Sequence, residues 1–575
     1  MITGQPDAEP GGTGSGTGSG TGTSAAAPDG PAEARRATPR PPLRTRLALL
    51  IALASGLLLA AAFAPIDAWP LAVVSPALLV LALYGRSRRA AFTVGLAFGL
   101  AFFFPLLAWV INLAWFAWVA LAIASALIFA VFAVAQRLLL NLRYWPLAVA
   151  GWWVAAEALR DRWPWGGFPW GRLAMSQAGL PTQGWAAIGG APVLSFVVAL
   201  TGTTLAWVLL TALTGGTGPK ADRAARRRRT GIAAVAFAAV AGASCLPAAL
   251  PLDPVPANAK TAVIAAIQGN VPRARGSLAQ QLNNDLVVTR NHATATEKLA
   301  GKVAAGALPR PDLVVWPENS TDIDPTQDPP VYQEITSAAS AIGRPILVGA
   351  VLQDPLRNAG VLWLPGKGPT TRYLKRQLVP FGEYIPFRSL ISKITSLTSL
   401  QPVDFTPGHQ TVVFDVGQIK LGDVICYEVA FDDLVRSEVS AGSNVLAVQS
   451  NDATFEREGP ITEESGQQLA MARLRAVEFD RAVVYSSTTG YSAIIAQDGQ
   501  VIERSGLWQQ AELEARVPLL THITLAERLG AGPEWVIVVA TALAFGLAAT
   551  RAGISRRRPR GPRSADSPAD IVEDR

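Results

Sequence analysis

The chain has 575 residues, half of them apolar, with only 16% charged residues and a positive mean hydropathy, whereas soluble domains carry roughly 25% charged residues. That balance excludes an ordinary soluble domain and predicts a membrane protein carrying a water-soluble part. The formal charge of +7 does not point to nucleic acid, because the arginines gather in short blocks beside apolar runs, where they act as topology signals and not as a phosphate-binding face.

Residues 1–42 form a Gly/Thr/Ser/Pro/Ala-rich head, too poor in apolar surface to fold and therefore predicted to be disordered. Apolar runs follow near 45–63, 69–84, 91–113, 116–136, 146–159, 189–213 and 231–250. Most are long enough to cross a hydrocarbon core of about 30 Å at about 1.5 Å per residue; the run at 146–159 is short and rich in Trp and Ala. The small residues of "LAAAFAPIDA" leave a signal peptide open as a reading of the first run, against which stand the long polar head and the spans that follow at once.

The loops set the orientation. Arg35, Arg36, Arg40, Arg44 and Arg46 precede the first run, and "GRSRR" follows the second. Arg137 and Arg143 follow the fourth, and "KADRAARRRR" follows the sixth, whereas "APIDAW" and "NLAW" carry no Lys or Arg. The positive-inside rule then places the N-terminus in the cytoplasm and makes 43–250 a seven-span membrane domain that ends outside. A final transmembrane helix over 533–550 returns a basic tail, 551–575, to the cytoplasm. Eight spans satisfy every loop, and the segment 258–525 is predicted to be an extracytoplasmic domain.

That segment reads as layered α/β. "TAVIAAIQGNV", "DLVVWPEN", "PILVGAVL", "QTVVFDV", "KLGDVICYEV", "NVLAVQSND" and "AVVYSSTTGYSAIIA" are β-branched runs bounded by turn residues. The stretches "LAQQLNNDLVVTRNHATATEKLAGKVA" and "ESGQQLAMARLRAVEFDRA" repeat apolar residues at helical spacing. Two cysteines and three dispersed histidines give neither a disulfide framework nor a metal-ligand spacing.

Three polar residues sit where strands end or follow: Glu318 after "LVVW", Lys375 in "RYLKRQLVPFGEYIP" and Cys426 closing "KLGDVIC". Taken singly, each has a bland reading as loop carboxylate, surface charge or small core hydrophobe. Taken together they supply a complete nucleophilic set. A thiol is weak until deprotonated, a carboxylate can take its proton, and a fixed ammonium can stabilise the thiolate and an oxyanion. No histidine is placed to serve as the base.

The segments "VVWPEN", "YLKRQLVPFGEYIP", "GDVICYE" and "SNDATF", with the multi-span half, the "GGFPWGRLAMSQ" loop and the closing span, resemble the apolipoprotein N-acyltransferase family of the nitrilase, or carbon–nitrogen hydrolase, superfamily. The resemblance covers about 45–550. It implies an αββα nitrilase-like sandwich on a multi-span membrane base of about eight helices. It also implies Glu318 as proton acceptor, Lys375 as oxyanion-stabilising ammonium and Cys426 as acylated nucleophile. Glu383 matches a supporting carboxylate, and Tyr427 and Glu428 match residues needed beside the nucleophile. The implied reaction passes an acyl chain from a membrane phospholipid, through a Cys426 thioester, to the α-amino group of a diacylated apolipoprotein, with no cofactor or metal. The sequence departs from the pattern at "QGNVPRARGSLAQQ", which lacks an early aromatic, and at "SNDATFE", where Thr454 replaces one; both bear on lid and substrate contacts.

The stretch "FRSLISKITSLTSL" places Leu390, Ile391, Ile394, Leu397 and Leu400 on one helical face, which fits either a core-packing helix or an amphipathic lid on the outer leaflet. In the loop 160–188, Trp163, Trp165 and Trp170 are predicted to anchor at the headgroup level. Two rival functions share parts of this reading. A membrane-tethered hydrolase of small amides or nitriles would use the same three residues, and a non-catalytic membrane scaffold would need none of them.

Overall fold

The computed structural model describes residues 43–213, 220–249, 255–272, 278–393, 402–453, 455 and 464–557. The low-complexity head, the tail beyond 557, Thr454, and Ile394, Leu397 and Leu400 of the amphipathic stretch lie outside the described residues.

The first seven apolar runs are helical: α1 (Thr45–Ala60), α2 (Leu71–Leu83), α3 (Arg88–Leu106), α4 (Trp115–Leu139), α5 (Trp145–Arg160), α6 (Trp185–Leu213) and α7 (Lys220–Ser244). The arginine block at 226–229, expected in a loop, is instead helical and continuous with the apolar part of α7, as Ala- and Arg-rich sequence favours. In α6 the backbone leaves helical geometry at Gly189 and Gly190, with φ of −151° and 75°, so the apolar segment begins after that break. Among the described residues α3, α4, α6 and the later Gly532–Ala552 segment are long and apolar enough to cross a membrane; Thr45–Ala60 and Leu71–Leu83 are apolar but shorter.

Close approach of small residues packs this base. Gly95 and Gly99 lie one turn apart on α3 and face Ala126, Ala130 and Ala133 of α4. A Cβ at Gly99 would sit 2.7 Å from the Ala126 Cα, and one at Gly95 would sit 2.4 Å from the Ala133 Cβ. Without a hydrophobic drive between helices in lipid, such van der Waals contact is what holds them. Beside it Phe98, Phe129 and Trp153 interlock, with Phe98–Phe129 and Phe129–Trp153 centroids 5.6 and 5.4 Å apart.

The α/β domain follows as β1 (Thr261–Gln268), α8 (Leu278–Ala304), β2 (Leu313–Val315), α9 (Pro329–Ile342), β3 (Ile346–Leu352), β4 (Arg357–Leu364), β5 (Gly368–Leu374) and α10 (Arg388–Ile391). Then come β6 (Val413–Val416), β7 (Ile419–Ile425), α11 (Asp432–Ser440), β8 (Val445–Ser450), α12 (Glu464–Phe479), β9 (Ala482–Ser487), β10 (Ala493–Ile495), β11 (Val501–Arg504) and β12 (Ala511–Pro518). Finally α13 (Leu525–Leu529) leads into α14 (Gly532–Arg557).

Two six-stranded sheets run β12-β1-β2-β3-β4-β5 and β11-β10-β9-β8-β7-β6. Each is built around three parallel strands flanked by antiparallel ones. β1, β3, β8 and β9 are buried on both faces, which is why they read as continuous apolar runs and not as alternations. Ile264, Val315, Leu347, Leu421, Ile425 and Val484 fill the layer between the sheets. α8 and α9 cover the first sheet through Leu299, Val331 and Ile335. α12 covers the second and belongs to the same packed cluster as α3, α5 and α6. The expected αββα layering is present, with one outer layer seated on the helical base. The run "AVVYSSTTGYSAIIA" is two strands joined by a turn, β9 and β10, and not one.

Gly99→Val should cost about 1–3 kcal/mol through overpacking, read as a lower melting temperature of the detergent-solubilised chain. Leu50→Val, on an exposed face of α1, should leave it unchanged. Equal melting temperatures for Gly99→Val and the parent would contradict the close α3–α4 approach.

Candidate active site

The site is assembled at the carboxyl ends of strands from both sheets. After β2 the chain turns out through Pro317 to Glu318, and the turn lies directly on β3. A Cβ at Gly349 would meet the Pro317 carbonyl oxygen at 2.1 Å, so only glycine admits this approach. The Ser320 hydroxyl donates to the Gly349 carbonyl at 2.9 Å and pins the turn.

The β4–β5 hairpin, unread in the sequence, delivers two further groups. Asn358 is the second residue of β4, and Lys375 follows β5, its N–H donating to the Asn358 carbonyl at 2.9 Å. The Lys375 ammonium is buried and donates to Glu318 Oε1 and Glu383 Oε1, both at 2.9 Å. Asn358 Nδ2 bridges the same two oxygens at 2.6 and 3.0 Å. Glu318 Oε2 accepts from the Asn451 N–H at 2.9 Å, and Glu383 Oε2 from the Val379 N–H at 2.8 Å. Burial opposes the ammonium, but the Glu318 and Glu383 charges outweigh it and hold Lys375 well above the usual lysine range. Two carboxylates against one ammonium leave one negative charge in excess, which is what a base requires.

Cys426 follows β7 directly and opens a single 3₁₀ turn, Cys426–Ala430. Its φ of 54° is left-handed, a conformation a side-chain-bearing residue holds only where its surroundings over-determine it. Glu428 provides much of that constraint. Its carboxylate accepts from the Ile425 N–H (2.8 Å), the Arg376 N–H (2.7 Å), the Gln377 N–H (3.0 Å) and the Tyr373 hydroxyl (2.9 Å). One side chain thus ties the backbone preceding the cysteine to the backbone following the lysine. Burial, then the Glu318 charge, pushes the Cys426 thiol well above its usual range, with Lys375 pulling the other way. That direction favours the thiol over the thiolate.

Tyr427 points to the helical base: its hydroxyl donates to the Gly167 carbonyl at 2.9 Å and its ring stacks on Phe168. Of the three tryptophans expected at the headgroup level, Trp163 and Trp165 are exposed. Trp170 is not. It is buried between Trp109 and Phe168, and its indole N–H donates to Gln467 Oε1 at 2.6 Å, because an indole donor inside a packed interface must find an acceptor. All six sequence-picked residues therefore fall in one connected region. Asn358, Asn451 and the α12 glutamines were missed.

Residues 55–204 match the apolipoprotein N-acyltransferase N-terminal domain, and 264–522 match the carbon–nitrogen hydrolase domain. The chain is 39% identical over 511 residues to the apolipoprotein N-acyltransferase of Mycolicibacterium smegmatis, covering 86% of this chain and 83% of that one. It is 31% identical to the apolipoprotein N-acyltransferase of Azotobacter vinelandii, covering 90% and 97%. Among solved structures, an amidase from Nesterenkonia sp. aligns at 20% identity over 47% of this chain and 94% of its own, with a TM-score of 0.33. The two family matches and the two relatives span both halves of the chain, and neither a tethered amidase nor a non-catalytic scaffold is favoured. The chain belongs to the apolipoprotein N-acyltransferase family, as an integral membrane acyltransferase with a carbon–nitrogen hydrolase domain.

Proposed function

We propose that the chain moves an acyl group from a membrane phospholipid to the N-terminal α-amine of a diacylated apolipoprotein, through a thioester on Cys426. The observation that carries this reading is the buried Lys375–Glu318–Glu383 set in electrostatic reach of a strained cysteine, in a domain seated on apolar helices.

Glu318 takes the thiol proton as Cys426 Sγ attacks the phospholipid ester carbonyl, and the oxygen that becomes negative is held by the Lys375 ammonium. Collapse breaks the ester C–O bond, the departing lysophospholipid oxygen takes the proton from Glu318, and the thioester remains. The acceptor amine then attacks the thioester carbon and gives a proton to Glu318. The C–S bond breaks, an amide forms, and the proton returns to the sulfur. Glu383 and Asn358 hold the ammonium in place, and Glu428 and Tyr427 hold the nucleophile's turn. Water exclusion protects the thioester, a task for the apolar surroundings of the site.

The proposed arrangement has a seven-span domain over 43–250 with a cytoplasmic N-terminus, the catalytic domain over 258–525 outside, and an eighth span over 533–550. Trp163 and Trp165 then lie at the outer headgroup level beside the site.

Incubation with acyl-labelled phospholipid should leave a hydroxylamine-sensitive label on the wild-type chain and none on Cys426→Ala. Glu318→Gln should block both half-reactions, and Lys375→Ala should slow acylation by about 10²–10³ or more. Equal labelling of Cys426→Ala, or near-normal turnover by Glu318→Gln, would overturn the assignments.

Topology has its own test. In a Cys245→Ser background, single cysteines replacing the exposed Ser337 and Gln418 should react with a membrane-impermeant thiol reagent in intact cells. One replacing the exposed Asn141, between α4 and α5, should not. The reverse pattern would place the site on the wrong face for an exported acceptor.

A further inference from the structure

The Lys375 ammonium has three protons, and Glu318 and Glu383 take two of them. What remains is committed to the oxyanion, so the sulfur needs another donor while it is negative. The structure places one there. Gln468, on α12 and fully buried, directs its amide Nε2 at Cys426 Sγ, 3.6 Å away, a reasonable N–H···S distance. The other end of the amide is fixed. Gln468 Oε1 accepts from the Ser450 hydroxyl at 2.6 Å and from the Tyr485 hydroxyl. Ser450 in turn lies 2.5 Å from Asp452 Oδ1, and Ser487 donates to Asp452 Oδ2 at 2.8 Å. All four of these partners are buried.

We propose that Gln468 is a further catalytic residue: its amide N–H, aimed by Ser450 and Tyr485, donates to the Cys426 sulfur and stabilises the thiolate as its proton leaves. The proposal rests on Cys426 being the nucleophile.

The proton inventory explains why the amide faces this way. Ser450 has one hydroxyl proton and two acceptor neighbours. With a proton on Asp452, that proton goes to Ser450, the Ser450 proton goes to Gln468 Oε1, and the amide N–H is left for sulfur. Burial, and to a lesser degree the Glu318 charge, pushes the Asp452 carboxyl upward against its hydrogen bonds with Ser450, Ser487 and Ser465, a direction that agrees with this arrangement. An ionised Asp452 would take the Ser450 proton, and the amide would gain by turning its oxygen toward the thiol. The charged or titratable groups bearing on the sulfur are Glu318, Lys375, Glu464, Asp452 and Tyr485. A neutral donor among them favours the thiolate without adding a charge that must itself be paired.

The chain holds two cysteines, so Cys245→Ser leaves Cys426 as the single thiol. The full-length solubilised chain in this background is alkylated with iodoacetamide across a pH series, and the rate at Cys426 is read by mass spectrometry. A hydrogen bond to a charged group is worth roughly 1.5–3 kcal/mol, so Gln468→Leu should move the midpoint of the rate profile up by about one pH unit or more. The same loss should slow thioester formation about 10- to 100-fold. Tyr485→Phe, which frees the amide from one anchor and keeps the ring, should move the midpoint the same way by less, and it serves should Gln468→Leu fail to fold. Midpoints equal to the parent's in both variants would overturn the proposal while leaving the nucleophile assignment standing, since alkylation needs no lipid. Acyl transfer retained by Cys426→Ala would instead remove the nucleophile assignment on which the proposal rests.

Discussion

One ammonium buried between two carboxylates governs the rest of this site. Moving any of these charges out of water alone would cost several kcal/mol, so Lys375, Glu318 and Glu383 are stable only as a set. Each must arrive with its geometry already determined. Glu318 is delivered by a turn that lies on β3 because position 349 has no side chain. Lys375 is delivered by a hairpin whose partner strand also brings Asn358 to both carboxylates. Glu383 is held by the backbone of its own loop. The proposed catalytic assignment rests on that balance: two carboxylates take two of the three ammonium protons, leaving one for an oxyanion and one negative charge in excess to act as base toward the buried thiol.

The helical base does more than anchor this domain. Arg172, in the loop after α5, pairs with Asp432 at 2.9 Å, and Arg475 of α12 pairs with the same carboxylate at 2.6 Å. Although burial opposes it, the two guanidinium groups hold the Asp432 carboxyl below its usual range. Arg475 also donates to the Val429 and Ala430 carbonyls, at 2.9 Å each, which are the last residues of the cysteine's own turn. Adjacent glutamines on α12 divide the two tasks. Gln467 accepts from Trp170 and donates to the Ala64 and Leu106 carbonyls of the base, while Gln468 reaches the sulfur. Cys426 and the membrane half are thus parts of one packed and hydrogen-bonded structure, as suits an enzyme whose proposed substrates both lie in the bilayer.

Much of this was legible in the sequence, for identifiable reasons. Apolar runs became helices, and strands buried on both faces announced themselves as unbroken Val/Ile/Leu runs. Glu318, Lys375, Glu383 and Cys426 were found because their motifs are dense and occur in a fixed order. β5 escaped because "GPTTRYL" has an exposed middle and belongs to an edge strand. Trp170 was misplaced because interface tryptophans at a membrane surface and between two packed units have the same composition, and only the position of Gln467 separates them. Asn358, Asn451 and Gln468 have no local signature: they matter through partners 40, 133 and 42 residues away.

The measurement closest to the central claim is a double-mutant cycle on Lys375→Met and Glu383→Gln, read as the apparent melting temperature of the solubilised chain. Lys375→Met leaves Glu318 and Glu383 facing each other without a counter-charge and should be the most destabilising of the three variants. Adding Glu383→Gln should recover part of the loss, with a coupling on the order of 0.5–3 kcal/mol. Additive losses, with the double variant less stable than Lys375→Met alone, would contradict the account.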